Sequence, residues 1–398
     1  MTAGDSTSEA PGDFSLVLGG PLFQLLRRAH LADDGLALAR KRVVVLSLFA
    51  WLPLFVLSAL EGKAFKGTVA VPFLMDLEQH IRFLLALPLL VIAERVVHER
   101  LQPVVRLFRE RNIVPANSIP KFEAAMTAAY RLRNSVIAEL MLIALVYLVG
   151  IQIAWRHYIA LDAATWYATP SAAGSELSIA GIWYGYVSLP LSQFLLVRWF
   201  FRLFIWARFL WQVSKIELSL LPAHPDRSGG LGFLGGSIFA FAPLAAAQGA
   251  LATGPFANRI FYLGARLPEF RFEIAGLVLF VLCLVFGPLL VFAPQLAAAR
   301  RRGVREFGTL AERYVREFDT KWLRGGAPAG EALLGSADVQ SLADLGNSFE
   351  IVRTMNAVLI TKAAIVRVAG ATLAPIVPLL LTMMPFEELL KKMFGLLF

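Results

Sequence analysis

Apolar residues in this chain come in long blocks, not at the alternating or 3.6-residue spacing of half-buried strands and helices. Seven such blocks stand out, at 43–60, 73 to just beyond 98, 134–155, 179–197, 228–258, 274–293 and 368–386. Most reach the roughly 20 residues that carry a helix across a bilayer. The pattern predicts an all-α, polytopic helical membrane protein of about seven transmembrane helices, with amphipathic helices on the cytoplasmic side. Residues 1–42 read as a disordered tail (1–13) followed by an interfacial segment, 43–299 as six spans with their loops, 300–362 as a cytoplasmic helical segment, and 363–398 as the last span with an interfacial tail.

The blocks differ in kind. The second is bordered by Asp76, Glu78, His80 and Arg82 on one side and Glu94 and Arg95 on the other, with Pro88 as the expected kink. Glu78 and Arg82 stand four apart, as do Asp76 and His80, in register for contact along a helix. The third holds one charge, Glu139. The fourth runs on into a stretch where Arg198, Arg202 and Arg208 alternate with bulky aromatics, read as a helix leaving the bilayer through the head-group region. The fifth is uncharged and rich in Gly and Ala, which predicts a central helix surrounded by protein. Its Gly232/Gly236 pair has the spacing that lets helix backbones approach, and Gln248 is expected to face a neighbouring helix. Gly287-Pro288 is a kink in the sixth. Ser336 is an N-cap in the cytoplasmic segment.

Composition sharpens this picture. The chain is 57% hydrophobic and 17% charged, with mean hydropathy +0.63, against about 45–50% apolar and about 25% charged in soluble domains. The net charge of +9 sits in loops beside apolar blocks, which points to membrane lipids and not nucleic acid as partner. A second copy of the chain stays open as a partner. Lys and Arg are heavy and light in alternate connections: five in 27–42, two at Lys63 and Lys66, eight in 95–133, one at Arg156, five in 198–227, three in 259–271, eleven in 300–367 and two in the tail. The positive-inside rule then puts the amino terminus in the cytoplasm and the carboxy terminus outside. The first residues carry acid and no basic region, so no signal peptide is expected. The single cysteine, Cys283, lies inside an apolar block and is read as packing.

The densest chemistry is the polar stretch LPAHPDRSGGLGFLGG at 221–236. His224, Asp226, Arg227, Gly229 and Gly230, with Arg198 and Arg202 arriving on the preceding helix, form a candidate site for an anionic group. Glycines can expose successive backbone N–H groups as a nest, and a helix start lies next to it. The competing reading is structural: Asp226 caps a helix, His224 bonds to backbone, and the glycines allow a turn. Glu94, His98, Glu139 and Gln248 form a second candidate set, a pathway or polar cluster. Glu94 and His98 share a helix face and could join His224 and Asp226; His30, Asp33 and Asp34 lie on the same side. No HExxH, CxxC, P-loop or GxSxG occurs, so no metal, cofactor or serine-hydrolase chemistry is indicated.

At 221–236, at LLGSADVQSLADLGNSFEIVR (333–353) and at PFEELLKKMFGLLF (385–398), the chain resembles a family of uncharacterised bacterial multi-pass inner-membrane proteins with an HPDRxGGLGF-type loop. The resemblance covers roughly the second half and implies a bacterial cytoplasmic membrane. It brings no catalytic residue, because the family has no assigned activity. His224-Pro225-Asp226 also matches the tripeptide of J-domain co-chaperones, but here it links two hydrophobic segments. The expected function is transport or channel-like, with a cytoplasmic-face anion or lipid-head-group site. The alternatives are a membrane-bound enzyme acting on a lipid or phosphate-bearing substrate, and a membrane scaffold or sensor.

Overall fold

A computed structural model describes residues 14–30, 38–155, 164–171, 174–333 and 335–383. The expected disordered tail, Asp33, Asp34, Arg156 and the interfacial tail beyond 383 lie outside the described residues. The fold is helical. In chain order the α-helices are α1 Pro21–Arg28, α2 Ala39–Leu60, α3 Leu77–Ile81, α4 Leu87–Glu110, α5 Ile119–Arg133, α6 Val136–Leu145, α7 Ile179–Trp183, α8 Leu189–Val213, α9 Gly232–Ser237, α10 Ala242–Leu263, α11 Arg271–Phe286, α12 Ala293–Phe318, α13 Ala337–Arg353 and α14 Lys362–Leu373. The exception is one antiparallel hairpin of β1 (Ala168–Ser171) and β2 (Gly174–Leu177), in register Ala168↔Leu177. It stands in the connection between the third and fourth apolar blocks.

Each of the seven apolar blocks is covered by helix among the described residues, but they are not equivalent. Three helical runs are long and apolar enough to cross a membrane: Ala39–Leu60, Gly232–Leu263 and Leu267–Leu323. A fourth counts if Ala116–Arg133 and Val136–Gly150, bent by 48°, form one span. The second block falls short of a clean span because it carries Asp76, Glu78, Arg82 and Glu94. The last is a short helix that gives way to tight 3-10 turns at Val377–Thr382, with Pro378 at their start. Large apolar side chains face outward: Leu48, Leu52 and Val56 on α2, Ile137, Leu140 and Met141 on α6, Phe272 and Leu279 on α11. Such a surface is compatible with a membrane protein. Cys283 also lies on this surface and not in the core.

Some breaks in the helices stand at prolines. The turns Arg82–Ala86 and Tyr184–Ser188 are widened to π geometry, and each ends two residues before a proline, Pro88 and Pro190. A proline has no N–H to give the carbonyl four residues back, and its ring crowds that carbonyl. For Pro190 that carbonyl belongs to Tyr186, and the Tyr147 hydroxyl donates to it at 3.1 Å. The expected kink at Gly287-Pro288 is a 3-10 stretch, Gly287–Phe292, joining α11 to α12. Ser336 caps α13, accepting from the Asp338 N–H.

The Gly/Ala-rich run is the enclosed one. In its most apolar 18-residue window 61% is buried, against 22% for α2 and 28% for the run through α11. The closest approach is not at Gly232 and Gly236, however. A Cβ on Gly236 would meet nothing within 4 Å, whereas one on Gly249 would stand 1.9 Å from the Thr372 carbonyl oxygen of α14. Gly249 therefore sets the α10–α14 contact.

The amino-terminal segment departs from its expected place along a surface. Phe14, Leu16, Val17, Phe23 and Leu26 are buried, and Phe14 stacks on Phe209 of α8 at 4.9 Å between ring centres. The arginine–aromatic half of α8 is also interior: Arg198, Trp199, Arg202, Trp206 and Phe209 are buried, and Arg208 is exposed.

Candidate functional site

Four helices bring five charged side chains together inside the bundle. Arg42 comes from the first turn of α2, Glu94 from the middle of α4, Glu139 from the first turn of α6, and Arg198 and Arg202 from α8. The two α8 arginines are four apart and so share a face. Glu94 is the hub. It stands 2.6 Å from an Nη of Arg42, 2.6 Å from Nη1 of Arg202 and 3.4 Å from Nη1 of Arg198. Arg198 Nε donates to Glu139 at 3.1 Å. The second Glu139 oxygen accepts the backbone N–H of Leu22 at 2.7 Å, tying the start of α1 to the cluster. All five residues are at most 7% exposed.

Three guanidinium groups against two carboxylates leave one positive charge in the group. Removing a charge from water is expensive, and only close opposite charges with well-aligned hydrogen bonds offset it. Arg42 is incompletely served: its Nε and Nη2 are buried and make no aligned hydrogen bond, although Nη2 lies close to Glu94. The cluster thus holds a surplus cation and unused donors.

Beside it the amino-terminal segment is stitched down by polar contacts. The Gly20 N–H donates to Asn134 Oδ1 at 3.0 Å, Arg133 Nη1 donates to the Ser15 carbonyl at 2.7 Å, and His98 Nδ1 lies 3.0 Å from Ser15 Oγ. A cavity of about 1160 Å³ lies between this segment, α4 and α5. Gly20 belongs to its wall, and a Cβ there would stand 3.6 Å from Arg198. The cavity and the charged cluster are therefore separated by one thickness of backbone.

The loop at 221–236 is arranged differently from an open nest. Asp226 fills it: Oδ1 accepts the N–H groups of Ser228 at 2.8 Å and Gly230 at 3.1 Å, and Oδ2 accepts that of Gly232 at 2.8 Å. Burial pushes the Asp226 carboxyl up, and these three N–H groups together with His224 outweigh it, holding the carboxyl below its ordinary value. His224 Nδ1 is 2.9 Å from Asp226 Oδ1 and 3.2 Å from the Asp226 N–H. A protonated Nδ1 makes the first contact and a bare one accepts the second. Arg227, Gly229 and Gly230 take positive φ of 52°, 62° and 95°, which folds the chain back on itself. The exposed Arg227 lends its carbonyl to the Asn356 N–H at 2.7 Å. A Cβ on Gly303 would lie 2.4 Å from Pro222. The loop thus clamps α12 and the end of α13 to the bundle.

The predicted residues consequently divide. Arg198 and Arg202 join Glu94 and Glu139, and not Arg227. His98 meets Ser15, and not His224 or Asp226. Gln248 is buried in α10, and its Nε2 has no hydrogen-bond partner. Among the described residues no group of three or more His, Cys, Asp and Glu could hold a metal ion. Arg42, Ser15, Arg133 and Asn134 escaped sequence reasoning. For Arg42 a signal existed: Ala39, Arg42, Ser47, Ala50, Leu54 and Ser58 are the buried positions of α2, a helical stripe of mostly small residues that passes through one arginine of the basic triplet. No known family matches this chain, and neither a curated protein nor a solved structure does so.

Proposed function

We propose that the chain is a multi-pass protein of a bacterial cytoplasmic membrane, of the transport or channel class, that handles an anion from its cytoplasmic face. Seven spans are assigned, with the amino terminus cytoplasmic and the carboxy terminus outside, from the alternation of basic connections. The observation that carries the functional reading is the buried group of Arg42, Arg198, Arg202, Glu94 and Glu139, with its surplus positive charge beside a cavity. Charges held inside a membrane bundle are costly and are characteristic of ion and substrate pathways. Arginine suits this task because it keeps its proton in any surroundings and offers several donors to an oxyanion.

Ion flux into proteoliposomes tests this reading. The parent protein is expected to pass chloride or phosphate and to exclude potassium. Arg198→Gln is expected to lower that flux about tenfold, equivalent to about 1.4 kcal/mol in barrier, with helix content and monodispersity unchanged. Vesicles holding folded parent protein yet tight to every anion would remove the transport class and leave the enzyme and scaffold readings.

A further inference from the structure

Phe200, Phe204, Arg208 and Trp211 recur every three or four residues along α8 and so share one side of that helix. All four line a groove of about 660 Å³ whose other wall is α11 and the break that follows it. Leu203 and Pro288 are buried at its floor, and Phe204, Trp211 and Cys283 are exposed at its rim. Arg208 is the one charged residue among the described lining residues, and it is exposed. It makes no ion pair among the described residues. Neither wall could supply one, because α8 and the stretch 274–305 contain no Asp or Glu. Arg198 and Arg202 of the same helix are buried and answered by Glu94 and Glu139. A turn beyond Arg208, the Lys215 Nζ lies 5.6 Å from the centre of the Trp211 ring. Along α8 the groove is therefore apolar first and basic afterwards.

We propose that this groove seats an anionic phospholipid, with an acyl chain against Phe200 and Phe204 and the phosphate at Arg208. A free anion would use the charge and leave the aromatic wall without a partner. A wholly apolar occupant would leave the charge unanswered. An anionic lipid satisfies both. The volume falls in the roughly 300–1,000 Å³ range of small-ligand sites. In the proposed threading α8 ends on the cytoplasmic side, where the leaflet is negatively charged. Trp211 then sits at the head-group level that suits its ring. The assignment rests on the membrane placement proposed above and not on transport. A chain that stays in solution without detergent removes that placement. A protein that needs detergent yet holds every lipid alike removes this site alone.

The test is native mass spectrometry of the full-length protein in mild detergent, offered dioleoylphosphatidylglycerol, dioleoylphosphatidylcholine or inorganic phosphate. Phosphatidylglycerol is expected to stay bound where phosphatidylcholine is stripped, and phosphate is not expected to displace it. Arg208→Gln removes the charge, and Cys283→Trp fills the groove from its exposed rim without altering charge. Each is expected to lower phosphatidylglycerol retention at least about fivefold. Arg305→Gln, the same charge loss at an exposed position outside the groove, is expected to retain the lipid like the parent. Equal retention of the two lipids, displacement by phosphate, parent-like retention by Arg208→Gln or Cys283→Trp, or an equal loss in Arg305→Gln overturns the proposal.

Discussion

Asp226 holds three backbone N–H groups on two oxygens, and its negative charge makes those bonds strong. Because the folded carboxyl lies below its ordinary value, the stabilisation is complete above the unfolded value, about pH 4, and fades as pH falls through the lower folded value. Amide exchange at Ser228, Gly230 and Gly232, corrected for its intrinsic rate, is therefore expected to speed up on acidification below about pH 4. Asp226→Asn is expected to do the same at neutral pH, at a cost of about 1–2 kcal/mol, because one carbonyl oxygen replaces two carboxylate oxygens. Undiminished protection in Asp226→Asn would mean that the turn is held by its glycines alone. This residue was legible in part: Asp followed closely by glycines announces a turn. Glu94 was not. Its three arginine partners are 52, 104 and 108 positions away along the chain, a separation that no local pattern encodes.

At the scale of elements, the fifth apolar block announced its own burial through composition, since glycine and alanine offer lipid little area. The contact point within it was not legible. GxxxG spacing marked Gly232 and Gly236, but helix phase against a neighbour decides which glycine touches, and the neighbour arrives more than a hundred residues later. Gly249→Ala is expected to lower thermal stability in detergent sharply, because its Cβ would overlap the Thr372 carbonyl, and overpacking at such a contact costs about 1–3 kcal/mol or more. Gly236→Ala is expected to be neutral or mildly stabilising, since its Cβ meets open space and alanine favours helix by about 1 kcal/mol. Leu279→Ala, on a side chain 63% exposed, is expected to change little. Equal losses at Gly249 and Gly236 would contradict the α10–α14 contact.

At the scale of the whole molecule, the proposed threading rests on loop charge, and reporter fusions test it. Fusions near Arg111 and Gly326 are expected to read cytoplasmic, and those near Gly174 and at Phe398 external. A cytoplasmic Phe398 would make the proline-interrupted last block re-entrant and reduce the count of spans. The sequence by itself determined the class of fold, the positions of the helices, the enclosed character of the Gly/Ala run, the cap at Ser336 and the breaks at Pro88 and Pro288. All of these depend on composition or on neighbours within a turn or two. Tertiary structure alone decided that the amino-terminal segment is drawn into the bundle and that Arg198 and Arg202 turn inward to Glu94 and Glu139. Those outcomes depend on which charges lie within a few ångströms of one another. In a helical bundle that proximity is set by the packing of elements far apart in the chain, and a buried arginine and a lipid-facing one can stand in the same sequence pattern.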